Sequence, residues 1–183
     1  MTDANTDPTM DLIAQAVTDG RSGNADTART QLQDLWKLIG VSGDPFHRCT
    51  LAHYMADLHT DPAQALAWDV RALDAADAVS EQRVQQHHTN LHIEGFYPSL
   101  HLNLADNYRR LGSFDTAREH LTAARERLSA LPDDSYGELI RTALDGVATA
   151  VENQDTTVRA SAPARPTEHM TALTNDDVGQ GRL

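Results

Sequence analysis

The chain has 183 residues, a formal charge of −12, 40% apolar residues and one cysteine. That length suits one domain with a real core, and the lone Cys49 excludes an intrachain disulfide and points to a reducing compartment or to indifference to redox. The acidic excess is spread out, with twelve acidic and five basic side chains over 1–78 and eleven and seven over 79–152. Nucleic-acid phosphates and anionic membranes are therefore disfavoured partners.

Residues 1–7 are expected to be disordered. The opening MTDANTDPTM has no basic segment followed by an apolar stretch. No apolar run in the chain approaches the roughly 20 residues of a membrane span. A cytoplasmic location follows as the expectation. All nine aromatic side chains fall between Trp36 and Tyr136, which places the packed core there. Abundant alanine and few β-branched residues in this stretch favour helices.

Asp7-Pro8 and Asp44-Pro45 stand 37 residues apart. Each sets a capping carboxylate before a proline suited to the first helical position. Asn24 and Asp61, again 37 apart, are the matching caps of a second helix. Ala28 aligns with Ala65 and Leu35 with Ala72 at the same offset. Two helical hairpins are predicted, over 8–40 and 45–78. The next stretch, 79–96, reads as an insertion with a short helix carrying Val84, His88 and Leu91. A third hairpin is predicted over 97–131. Leu100, Leu104, Tyr108 and Leu111 share one helical face, Gly112-Ser113 breaks it, and Ala117, Leu121, Ala124 and Leu128 continue the stripe. Ser135-Tyr136-Gly137-Glu138 reads as a capping box opening a last helix over 135–152, with Leu139, Ile140, Leu144, Val147 and Val151 at helical spacing. Beyond it, 153–183 loses all periodicity and is expected to be a disordered tail.

In the third hairpin Leu104, Ala105, Tyr108, Gly112, Ala117 and Ala124 match the repeat signature that this chain resembles, that of the tetratricopeptide-repeat family. The first two hairpins match more loosely, since His53 stands where the family takes a small residue and Asp19 where it takes tyrosine. The resemblance implies an all-α, right-handed solenoid of about three hairpins, with the insertion and a C-terminal capping helix. It also implies a concave groove lined by the first helix of each hairpin, made for extended peptides. The matching positions are Thr50, Tyr54 and Asp57 in the second hairpin and Leu102, Asp106 and Arg109 in the third. The expected function is non-catalytic binding of a protein or peptide, with no cofactor.

Two other groupings bear on chemistry. His88 and His92 are four apart, as in zinc-binding helices, with His87, Glu94 and His101 nearby. The His87–His101 region is thus the basis of a rival, metal-binding reading, although nothing supplies a second pair of ligands and no metal is expected. Cys49, His53 and Asp57 succeed one another at four-residue steps. Side chains stacked along a single helix leave no oxyanion site opposite the sulfur, and Cys49 aligns with Leu12, an expected core position, so no enzyme is expected. A third reading is a regulatory sensor whose groove takes a small molecule or signalling peptide.

Overall fold

The computed structural model describes residues 7–84 and 93–159. Within them lie seven packed α-helices: α1 (Pro8–Arg21), α2 (Ala25–Ile39), α3 (Pro45–Asp57), α4 (Pro62–Val84), α5 (Tyr97–Arg110), α6 (Phe114–Glu126) and α7 (Ser135–Glu152). A single 3-10 turn, Leu128–Ala130, follows α6. There is no strand among the described residues, and no helix is long and apolar enough to cross a membrane. The helix α4 continues through 79–84, so the first part of the expected insertion is helical. The short helix expected around His88 and Leu91 lies outside the described residues, as do 1–6 and 160–183.

Local chemistry starts these helices. The Asp7 carboxylate accepts from the amides of Thr9 and Met10, both at 3.1 Å, and Asp44 from those of Phe46 and His47 at 2.8 and 3.1 Å. Asp61 accepts from the Ala63 amide at 2.8 Å. Each satisfies amide donors that the first turn leaves open. Asn24 and Ser113 hold the cap positions of α2 and α6 but make no side-chain cap bond. At α7 the cap is one residue earlier than the sequence suggests. Asp134, not Ser135, accepts from the Gly137 amide at 3.0 Å, and Ser135 is the first helical residue. Gly112 ends α5 with a φ of +79°, a conformation that costs glycine nothing.

Packing follows chain order: α1 lies on α2, α3 on α4 and α5 on α6, with α4 also against α5 and α7 against both α5 and α6. Alanine makes the close crossings. Ala28, Ala65 and Ala117, the equivalent positions of α2, α4 and α6, are all buried, and the missing side-chain bulk lets helix axes approach to about 8–9 Å. Three apolar clusters result. Met10, Ile13, Val17, Leu32, Leu51 and Met55 join α1, α2 and α3. Cys49, Ala72, Ala76, Val79, Ile93 and Leu100 join α3, α4 and α5. Leu102, Leu121, Ile140, Leu144 and Val151 join α5, α6 and α7.

The chain does not leave the body at Asn153, where the sequence ends its order. Gln154 takes a φ of +53°, and residues 153–159 fold back as a strap over α5 and α7. Arg109 of α5 donates to the carbonyls of Asp155 and Thr157, and Arg159 donates to the Ala143 carbonyl at 3.2 Å. The strap has its own turn, in which the Thr157 amide and hydroxyl donate to Asp155 Oδ1 at 2.8 and 2.7 Å. Those bonds hold the Asp155 carboxyl below the usual carboxylate range.

Candidate functional site

The six positions assigned to a groove separate into two groups. Tyr54 and Asp57 of α3 face a pocket of about 180 Å³ whose other walls are Val17, Gly20 and Arg21 of α1, Leu32 of α2, and Leu58. Val17 and Gly20 precede Tyr54 and Asp57 by 37 residues, the offset that relates the helix caps, so the pocket forms between equivalent positions of α1 and α3. Asp57 and Arg21 are exposed. Tyr54 is 7% exposed and packs its ring into the cluster of α1, α2 and α3. At Gly20 the helices pack closely: a Cβ there would meet Ala28 Cβ and Leu58 Cδ2 at 3.1 and 3.2 Å and push them back by a few tenths of an ångström.

Of the other four positions, three are closed. The sequence sets Thr50, Leu102 and Arg109 on an open face, and the structure buries all three. Leu102 is taken into the cluster that α7 completes. Arg109 has no exposed surface. It lies beneath the strap, and its Nε and Nη2 also donate to Asp106 Oδ1 at 2.9 and 2.8 Å. Burying a guanidinium is tolerable only when its donors are met, and two strap carbonyls and a carboxylate meet them. Asp106 remains partly exposed beside it.

A polar cluster that the sequence reading does not assemble joins α3, α4 and α5. His53, 2% exposed, stands where α1 and α5 have Ala16 and Ala105. Its Nδ1 lies 3.7 Å from Asp69 Oδ1, and its Nε2 lies 3.5 Å from Ser99 Oγ. Asp69, fully buried in α4, accepts from Asn103 Nδ2 at 3.3 Å and Asn107 Nδ2 at 2.8 Å. The order Ser–His–Asp matches a hydrolytic triad in connectivity, but the chemistry does not follow. The Ser99 hydroxyl donates to the Phe96 carbonyl at 2.9 Å, so its proton is not aimed at the imidazole. Both Ser99 and Asp69 are fully buried, which leaves a nucleophile no access to substrate. The cluster acts as a polar bridge across three helices. A signal for it was present: Asp69 falls on the stripe Ala65, Ala72, Ala76 and Val79, where a charge requires partners.

Of the triple Cys49, His53 and Asp57, the structure buries Cys49 in the core and exposes Asp57, so the three do not converge. Of the histidine-rich stretch, His87, His88 and His92 lie outside the described residues. His101 instead meets His120 of α6, Nδ1 to Nδ1 at 3.0 Å. Burial, with the nearby His120 and Arg127, pushes the His101 imidazole down to about 4 against the pull of Asp77. Burial also lowers His120, opposed by Glu119. Among the described residues, no group of three or more His, Cys, Asp and Glu is placed to hold a metal ion.

No family model matches this sequence, and no curated protein or solved structure matches it either.

Proposed function

We propose that the chain is a non-catalytic interaction module. Its helix pairs are tetratricopeptide-like and stack as a right-handed solenoid, and the face of the first helices takes an extended segment of a partner protein. The observation that carries this reading is the pocket between α1 and α3. It is built from two pairs of residues at one repeat offset, Val17 with Tyr54 and Gly20 with Asp57. Repeating units that present equivalent positions side by side produce a linear binding face of this kind.

The size of the pocket favours a peptide over a metabolite. A volume of about 180 Å³ falls below the roughly 300–1,000 Å³ of small-molecule sites, and it suits a single side chain. Val17, Leu32 and Leu58 offer that side chain apolar contact, and exposed Arg21 and Asp57 offer its neighbours charge. The strap gives further support, because it lays two backbone carbonyls on Arg109, which follows Asp57 by the 52 residues that separate Ala65 from Ala117.

Selection of peptides from a random displayed library on the full chain tests the proposal. Binders should be enriched, and Asp57→Lys should weaken them at least tenfold. Arg125→Glu, an exposed change on α6, should leave them unaffected. Failure to enrich any binder, or binders indifferent to Asp57→Lys, would refute the face assigned here.

A further inference from the structure

We propose that His101 and His120 form a two-histidine site for a borderline transition-metal ion such as Cu²⁺, Ni²⁺ or Zn²⁺, with both Nδ1 atoms as adjacent ligands. The two imidazoles come from neighbouring helices, α5 and α6, and their Nδ1 atoms are 3.0 Å apart. Metal–nitrogen bonds of about 2.0–2.1 Å set two ligands at square or tetrahedral angles about 2.9–3.4 Å apart. The pair therefore already stands at ligand spacing; the two nitrogens now face each other along a hydrogen bond, so both rings must also turn for their lone pairs to converge on an ion beside that line.

The rings are held in place without using a nitrogen. Tyr108 stacks on His120 with centroids 5.4 Å apart and planes 8° from parallel. Tyr97 stacks on His101 at 6.3 Å and 27°, and is itself anchored by its hydroxyl, which donates to Asp77 Oδ1 at 2.8 Å. Such support does for these rings what hydrogen-bonding neighbours do for most metal-binding histidines. Ligation requires neutral imidazole, and burial disfavours the charged form of both rings.

The proton account closes. Without metal, one Nδ1–H donates to the other Nδ1. On binding, that ring shifts to its Nε2–H tautomer, both Nδ1 lone pairs face the ion, and no net proton is released. Water fills the remaining positions. Asp77 and Glu119 favour a cation here, whereas the Arg127 guanidinium, 5.2 Å from the Tyr97 ring centre, opposes it. Two nitrogen donors, with no carboxylate in contact among the described residues, select against Mg²⁺ and Ca²⁺ and favour Cu²⁺ over Ni²⁺ and Zn²⁺.

The test uses the full chain without an affinity tag, titrated with Cu²⁺ and followed by calorimetry and electron paramagnetic resonance. One equivalent should bind with nitrogen hyperfine structure, and His101→Ala should weaken it at least tenfold. His59→Ala, a change on a half-buried histidine at the end of α3, should have no effect. Should His101→Ala fail to fold by circular dichroism, His120→Phe carries the test, because phenyl keeps the stack on Tyr108 and removes the ligand. Parent-like Cu²⁺ binding by either folded variant, or equal thermal stabilisation of the parent by Mg²⁺, would overturn the assignment.

Discussion

The Arg109 guanidinium donates to the Thr157 carbonyl at 2.9 Å, a bond that spans 48 residues of chain and ties the end of α5 to the strap. Arg109 is fully buried, so removing the strap takes away two acceptors and leaves its guanidinium with Asp106 as its remaining partner among the described residues. A chain ending at residue 152 should therefore lose about 1–3 kcal/mol, read as a fall of roughly 5 °C in melting temperature. A chain ending at residue 160 should melt with the parent. Identical melting of the two truncations would show that the strap adds no stability.

Gly146 lies in the middle of α7, where glycine costs about 1 kcal/mol relative to alanine. A Cβ there would collide with the Arg159 guanidinium. Gly146→Ala alone should gain little, because the added methyl displaces Arg159 from the Ala143 carbonyl. In an Arg159→Ala background the same change should stabilise by about 0.5–1 kcal/mol. Chemical denaturation of the four proteins yields the coupling directly. Additive effects would mean that Arg159 does not rest on α7.

The His53–Asp69 contact makes an asymmetric prediction. His53→Ala takes the imidazole away from the buried Asp69 carboxyl, which should cost about 1–3 kcal/mol. Adding Asp69→Asn to His53→Ala removes the buried charge and should recover part of that loss. A double variant less stable than His53→Ala would show that the carboxylate is worth keeping without the histidine.

Asp7 couples α1 to α3 through a 2.7 Å contact with His47 Nε2. Burial pushes its carboxyl up, but the bonds from His47 and from the Met10 and Thr9 amides outweigh this and leave it below the usual range. A group whose folded pKa is depressed contributes stability above its unfolded value of about 3.9 and loses it as pH falls through the folded one. Asn also caps helices well, so Asp7→Asn should change stability at pH 7 by less than about 1 kcal/mol. It should flatten the acid limb below pH 4.5. An unaltered limb in acid titrations of stability would assign that limb to other carboxylates.

The sequence by itself determined the helical character of the chain and where its helices begin. Those properties are local. An aspartate before a proline, as at Asp7 and Asp44, satisfies amides two and three residues on, and apolar spacing such as Ala117, Leu121 and Ala124 marks a face within one helix. Only the tertiary structure decided which polar residues lie inside. Arg109 carries no local sign of burial, because what covers it is a strap 46–48 residues away. Asp57, at the equivalent position of α3, stays exposed because no described segment folds back over it. His101 and His120 are 19 residues apart on different helices, and no single helical period relates them. Burial of a charged group depends on which remote segments supply its partners, and that is settled only when the helices pack.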